Sequence, residues 1–174
     1  PTISSISIAS NNNSIYLTMS EAVYNSSGGS GALESSDFTL AISGGSATLS
    51  SSQPGEVSSS GNVYTLSPYF EGLADGNETL TVFFVDNAIY DVAGNEANAT
   101  QSNSSITLKD KTPAKITSVS IASDNTLITV NISESVYNSS GGSGALESSD
   151  FTFTINGGTA TLSSLSLIHI SEPT

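Results

Sequence analysis

Apolar and polar residues alternate along Ile3–Ala9 (ISSISIA), the period of a half-buried strand. Asn11, Asn12 and Asn13 then predict a turn, and Ile15, Leu17 and Met19 resume the alternation. Val23 and Tyr24 extend that strand edge. Asn25–Gly31 (NSSGGSG) has nothing to bury and predicts an exposed, flexible loop. Phe38, Leu40 and Ile42 alternate as a further strand closed by Gly44-Gly45, and Ala47 with Leu49 starts another. Gln53-Pro54-Gly55 and Asp75-Gly76-Asn77 carry turn chemistry. Val63–Leu66 predicts a strand after Gly61-Asn62. Thr79–Val85 (TLTVFFV) is the most apolar run and is expected to be central. Ile89–Tyr90 and Ile106–Leu108 supply the last short segments. About seven short strands with turns at roughly 8–12-residue spacing, and no helical period, predict a Greek-key β-sandwich.

The stretch Val23–Thr39 (VYNSSGGSGALESSDFT) recurs letter for letter at Val136–Thr152, 113 residues on, from 23 to 136. Ile128, Val130 and Ile132 then stand where the first copy has Ile15, Leu17 and Met19, so the apolar face is kept while its members change. Residues 1–112 are expected to form one complete module, long enough to bury its own core. Residues 113–164 are expected to be the truncated start of a second. Lys109–Lys115 (KDKTPAK) joins them and holds all three lysines of the chain. A joint this short, stiffened by Pro113, restricts the angle between neighbours, as a stalk requires; the plainer reading is a solvated linker.

The two copies match up to Ser164 and then part abruptly. Residues 165–174, LSLIHISEPT, resemble the translation of an adapter used in transposon-based DNA library preparation, in all ten positions. The reading frame is therefore expected to run into adapter sequence, and the alternative is a diverged natural strand. Pro1 is not a natural start, so the chain is expected to be an internal piece.

Composition narrows the chemistry. Charged residues make up 11% of the chain, and formal net charge is −13, from 16 acids against three lysines. Phosphate backbones and anionic membrane surfaces both need a basic surface, so neither is expected as a partner, and no apolar run approaches the roughly 18–20 residues that span a bilayer, so membrane insertion is not expected. Without Cys there are no disulfides, thiolate metal ligands or Cys nucleophiles. The single histidine, His169, lies in the adapter-like tail, so the remainder lacks the usual general base of a serine triad and the usual zinc ligands. Gly28-Gly29-Ser30-Gly31 has neither the lysine nor the helix of a P-loop. No enzymatic activity is expected.

Calcium is the sharper expectation, because it takes six to eight oxygen ligands from carboxylates, amides and carbonyls. Asp86, Asp91 and Asn95 supply that mixture near a turn, and Glu21 and Asp110 are placed to join it at the module junction. The alternative is that these residues only build turns. Asp37 is expected to bond the local backbone where its strand begins. Tyr24, Tyr64, Tyr69 and Tyr90 are either a sugar-stacking platform or core and rim packing.

Ser20-Glu21-Ala22-Val23, then Ser36-Asp37-Phe38-Thr39, then Asp91-Val92-Ala93-Gly94-Asn95 resemble the immunoglobulin-like modules of bacterial surface-layer proteins and large secreted adhesins. Met19, and Ile132 in the second copy, stand where that family has Phe. The resemblance implies an immunoglobulin-like sandwich in tandem array, export to the cell surface or medium, and a spacer or adhesive role. It also implies neighbouring repeats and a cell-surface or glycan ligand as partners, with calcium stiffening some members. The rival expectation is a carbohydrate- or surface-binding accessory module of an extracellular hydrolase.

Overall fold

The structure, a computed structural model, describes residues 1–161 and, as backbone, the strand His169–Ser171. The remainder of the adapter-like tail, 165–168 and 172–174, lies outside the described residues. The protein is mostly β, with several small antiparallel sheets and no α-helix among the described residues. By contacts the chain divides into two compact units, Pro1–Thr112 and Pro113–Thr174.

The first unit contains β1 (Ile3–Ile8), β2 (Ile15–Met19), β3 (Phe38–Ser43), β4 (Thr48–Leu49), β5 (Val57–Ser60), β6 (Val63–Leu66), β7 (Phe70–Glu71), β8 (Thr79–Phe84) and β9 (Ser105–Thr107). They form a four-stranded sheet in the order β1-β2-β6-β5, a three-stranded sheet β3-β8-β9 and the small pair β4-β7. Alternation sets which side chains turn inward. Ile15, Leu17 and Met19 of β2 and Leu66 of β6 are buried from the first sheet, and Phe38, Leu40, Leu80, Val82 and Phe84 from the second. All belong to one hydrophobic core, where the rings of Phe38 and Phe84 meet edge to face with centroids 5.9 Å apart. The apolar run Thr79–Val85 is indeed the middle strand of its sheet.

Two strands escape the alternation rule. β5 reads Val-Ser-Ser-Ser, with too little apolar content to register as a strand. It forms because β6 offers a partner across the tight turn at Gly61 (φ 60°) and Asn62. β7 is only two residues long and exists by pairing with β4. Tyr90 forms isolated bridges, to Tyr24 and Glu96, rather than a strand: it exchanges both backbone bonds with Tyr24, at 2.8 Å each.

The second unit contains β10 (Ile116–Ile121), β11 (Ile128–Ile132) and β12 (His169–Ser171). β10 and β11 pair antiparallel in the register of β1 and β2, down to the same irregularity near the start. β12 runs parallel to β11. Residues 151–156, equivalent to β3, form no strand, and Phe151 is only half-buried where Phe38 is fully buried.

Candidate functional site

The duplicated stretch folds locally in the same way twice. Its Gly/Ser segment closes on itself through a bridge between Ser26 and Ser30, repeated between Ser139 and Ser143. The two hydroxyls of each pair lie 3.0 Å apart. Gly31 stands at φ +84°, and a Cβ there would fall 1.9 Å from the Asn25 amide oxygen, so only glycine closes the loop. Gly144 repeats this at φ +85° beside Asn138. The loop expected to be flexible is therefore an ordered, self-bonded one. A one-turn 3-10 segment, Ser35–Asp37, follows, with the Glu34 N–H donating to Asp37 Oδ2 at 2.7 Å. Asp37 thus bonds the local backbone at the start of β3, as its position predicts. Burial raises its pKa above the usual carboxylate range, against the opposing pull of that hydrogen bond.

In the first unit this loop meets the Asp91–Asn95 turn. Gly29 lies against Val92, and Gly94 against Ser27 and Gly28. The Asp91 carboxylate accepts from the Asn95 side-chain amide and from the Asn95 N–H, both at 2.8 Å. These bonds, the side-chain one first, hold its pKa below the usual range. They use half of the carboxylate's roughly four acceptor positions. Glu21 lies 3.3 Å from the Pro1 nitrogen.

The other two calcium candidates stand elsewhere. Asp86 lines a shallow depression of about 320 Å³ with Glu96 and Asn98. Glu96 in turn accepts from the Asn87 N–H. Asp110 packs against Gly76 and accepts from the Thr112 N–H at 2.8 Å. Among the described residues, no three His, Cys, Asp or Glu side chains gather as a metal-holding group. Of the four tyrosines singled out by sequence, Tyr64 is buried and donates to the Val23 carbonyl at 3.0 Å, whereas Tyr69 is exposed.

Two residues that hold this unit together carry little sequence signal. Asn12, in left-handed conformation at φ 63°, sends its amide nitrogen to the Lys109 carbonyl at 2.7 Å and receives the Lys109 N–H at 2.9 Å. In sequence it is one of three consecutive asparagines in a turn. Glu78 is 0% exposed. Its Oε1 accepts from the N–H groups of Ser46, Ala47 and Asp75, and its Oε2 from Asp75 and Gly76, all at 2.8–3.2 Å. Burial alone would raise its pKa, but these backbone donors outweigh it and hold the carboxyl at about 2. Its only sequence signal is an acid set between a turn and the most apolar strand.

The joint is tied down from both sides. Lys109 is clamped by Asn12. The Ala74 carbonyl accepts from the Lys111 N–H at 2.7 Å and from the N–H and hydroxyl of Thr112, each at 3.1 Å. In the second unit, the Lys115 N–H donates to Ser133 Oγ at 3.0 Å, and the Ser133 N–H returns a bond to the Lys115 carbonyl at 2.9 Å. Thr2 and Ser20 make the same pair of bonds in the first unit. Between the two sets of bonds lie only Pro113 and Ala114.

No protein-family model, curated protein or solved structure matches this chain.

Proposed function

We propose that this chain is a non-catalytic spacer, built from tandem immunoglobulin-like β-sandwich modules of a long secreted or surface-exposed bacterial protein. The observation that carries the reading is the joint. Hydrogen bonds reach Thr112 from one side and Lys115 from the other, leaving a two-residue hinge of which one residue is proline. The common core under the β1-β2-β6-β5 and β3-β8-β9 sheets supports the sandwich part of the reading. The recurrence of the β1–β2 register and of the self-closed loop in the second unit supports the tandem part.

The chain has no cysteine, so spin labels go where they are placed. Labels on cysteines substituted at exposed Ser59 and Thr126 of the full chain are expected to give a narrow distance distribution. Inserting three glycines after Pro113 is expected to broaden it at least about twofold, as a flexible linker requires. Equal breadth in both chains would sink the spacer reading.

Calcium enters the proposal as a stiffener of the Asp91–Asn95 turn. The Asp91 carboxylate keeps about half of its acceptor positions free after bonding Asn95. Calcium is expected to raise the melting temperature of the first unit, EDTA to reverse the rise, and the Glu21→Gln/Asp91→Asn double variant to abolish it. A melting temperature indifferent to calcium removes the ion from the proposal and leaves the spacer intact.

A further inference from the structure

The two copies of the repeat differ at a place that changes the chemistry of the backbone. Where the first reads Ile42-Ser43-Gly44-Gly45, the second reads Ile155-Asn156-Gly157-Gly158. The exchange of serine for asparagine creates the only Asn-Gly pair in the chain. Such a pair is set up to react with itself. The backbone nitrogen of the second residue can reach the side-chain carbonyl carbon of the first and close a five-membered ring. Glycine has no Cβ to obstruct that approach.

The fold leaves this path open in the second unit. Asn156, Gly157 and Gly158 are exposed and lie outside any strand. Gly157 stands at φ +78°, with open space among the described residues where a Cβ would be. Its N–H makes no hydrogen bond to any described residue, so the attacking nitrogen is held by nothing there. The first unit packs the same corner: a Cβ on Gly44 would fall 2.6 Å from the Asn77 carbonyl oxygen. The chain's only Asp-Gly pair, Asp75-Gly76, would form the same ring with loss of water, but both of its reacting groups are occupied. The Gly76 N–H donates to Glu78 Oε2 at 3.1 Å, and Asp75 Oδ1 accepts from the Asn77 N–H at 3.0 Å.

We propose that Asn156 is a self-modification site, at which the second unit converts with time to aspartyl and isoaspartyl forms. The Gly157 nitrogen bonds to Asn156 Cγ and gives up its proton, and the carboxamide C–N bond breaks to release ammonia. Water is the only co-reactant. It adds to one of the two carbonyl carbons of the cyclic imide, whose bond to the ring nitrogen breaks, and that nitrogen takes up a proton. Opening at Cγ leaves aspartate. Opening at the main-chain carbonyl leaves a backbone that runs through the side chain and is longer by one methylene. Either product adds a negative charge to a chain already at −13. The first unit, with Ser43 in this place, has no such reaction open to it. Two nearly identical modules therefore age differently. This goes beyond the spacer reading and stands or falls separately from it.

The test is incubation of the full chain in warm, mildly alkaline buffer, followed by peptide mapping with mass spectrometry. Enzymatic methylation of isoaspartyl carboxylates gives a second readout. Asn156 is expected to convert about tenfold faster than any other asparagine, or more, and to yield both products. Asn156→Ser, the residue of the first copy, is expected to remove the isoaspartyl signal. Gly157→Ala is expected to slow it about tenfold, because a Cβ then stands beside the attacking nitrogen. Asp75 is expected to stay unmodified in the folded chain and to isomerise in the same chain held in urea. No conversion at Asn156 overturns the proposal. So does a rate no faster than at other asparagines, or one unchanged by Gly157→Ala. Asp75 isomerising as fast in the folded chain as in urea would remove its structural ground.

Discussion

Replacing Glu78 with alanine is expected to destabilise the first unit by about 3 kcal/mol or more, because the backbone N–H groups of Ser46, Ala47, Asp75 and Gly76 lose their common acceptor inside the protein. Glutamine is no rescue. It keeps the shape but turns one oxygen into an NH2 group, and that donor then faces backbone donors whichever way the amide is set. Nor can the loop shift to compensate. Gly45, at φ +58°, lies so close that a Cβ there would fall 2.2 Å from the Glu78 carboxyl carbon. Glu71, exposed on β7, is the control, and Glu71→Gln is expected to change stability by less than about 0.5 kcal/mol. Chemical denaturation with hydrogen exchange read at β2 and β8 checks both. A Glu78→Ala loss below about 1 kcal/mol would show that the carboxylate does not hold this corner.

The same group gives the pH dependence its sign. The Glu78 pKa lies at about 2 in the folded protein, below its ordinary 4.5. Its contribution is therefore complete above about pH 4.5 and is lost as pH falls toward 2. Asp91, also lowered, works in the same direction, and Asp37, raised by burial, works against both. The melting temperature of the wild type is expected to fall between pH 4.5 and 2. The Glu78→Gln variant starts lower and loses less over that interval.

Phe38→Ala is expected to cost the first unit about 3–5 kcal/mol, the usual price of emptying a buried phenylalanine site. Phe38 is 1% exposed and packs edge to face on Phe84. Phe151→Ala, a substitution in the same run of letters, is expected to leave the first unit's midpoint where it was. Phe151 sits half-buried beside Phe153, with no strand on either side among the described residues. Equal losses from the two substitutions would show that identity of sequence, not of surroundings, sets the energy.

The calcium set and the strands differ in how the sequence encodes them. Strands announce themselves by a period, and the inward faces of β1, β2, β3, β6 and β8 were legible from alternation alone. Glu21, Asp86, Asp91, Asn95 and Asp110 share only a residue type and rough proximity along the chain. In the folded chain Asp91 and Asn95 bond each other, and Asp110 takes the Thr112 N–H. Asn12 and Glu78 were illegible for the converse reason. Their partners, Lys109 and the Ser46–Ala47 backbone, are distant in sequence, and nothing in the residue type names them. β5 needed its pairing with β6, because Val-Ser-Ser-Ser has no period by which to be recognised as a strand.

The duplicated stretch Val23–Thr39 and Val136–Thr152 separates the two levels within one molecule. In both copies the sequence by itself determined the Ser–Ser bridge, the left-handed glycine beside asparagine, and the acid that caps the turn before the phenylalanine. These depend on contacts within a few residues, and the same letters make them twice. Tertiary structure alone decided what those letters bury. In the first unit β8 pairs with Phe38–Ser43, and Val23, Leu33, Asp37 and Phe38 are buried. In the second, residues 151–156 have no such partner among the described residues. Their backbone groups stay outside any sheet, Asp150 is exposed, and Leu146 and Phe151 are half-covered. A strand needs hydrogen bonds from another chain segment, and a core needs a second face to close on.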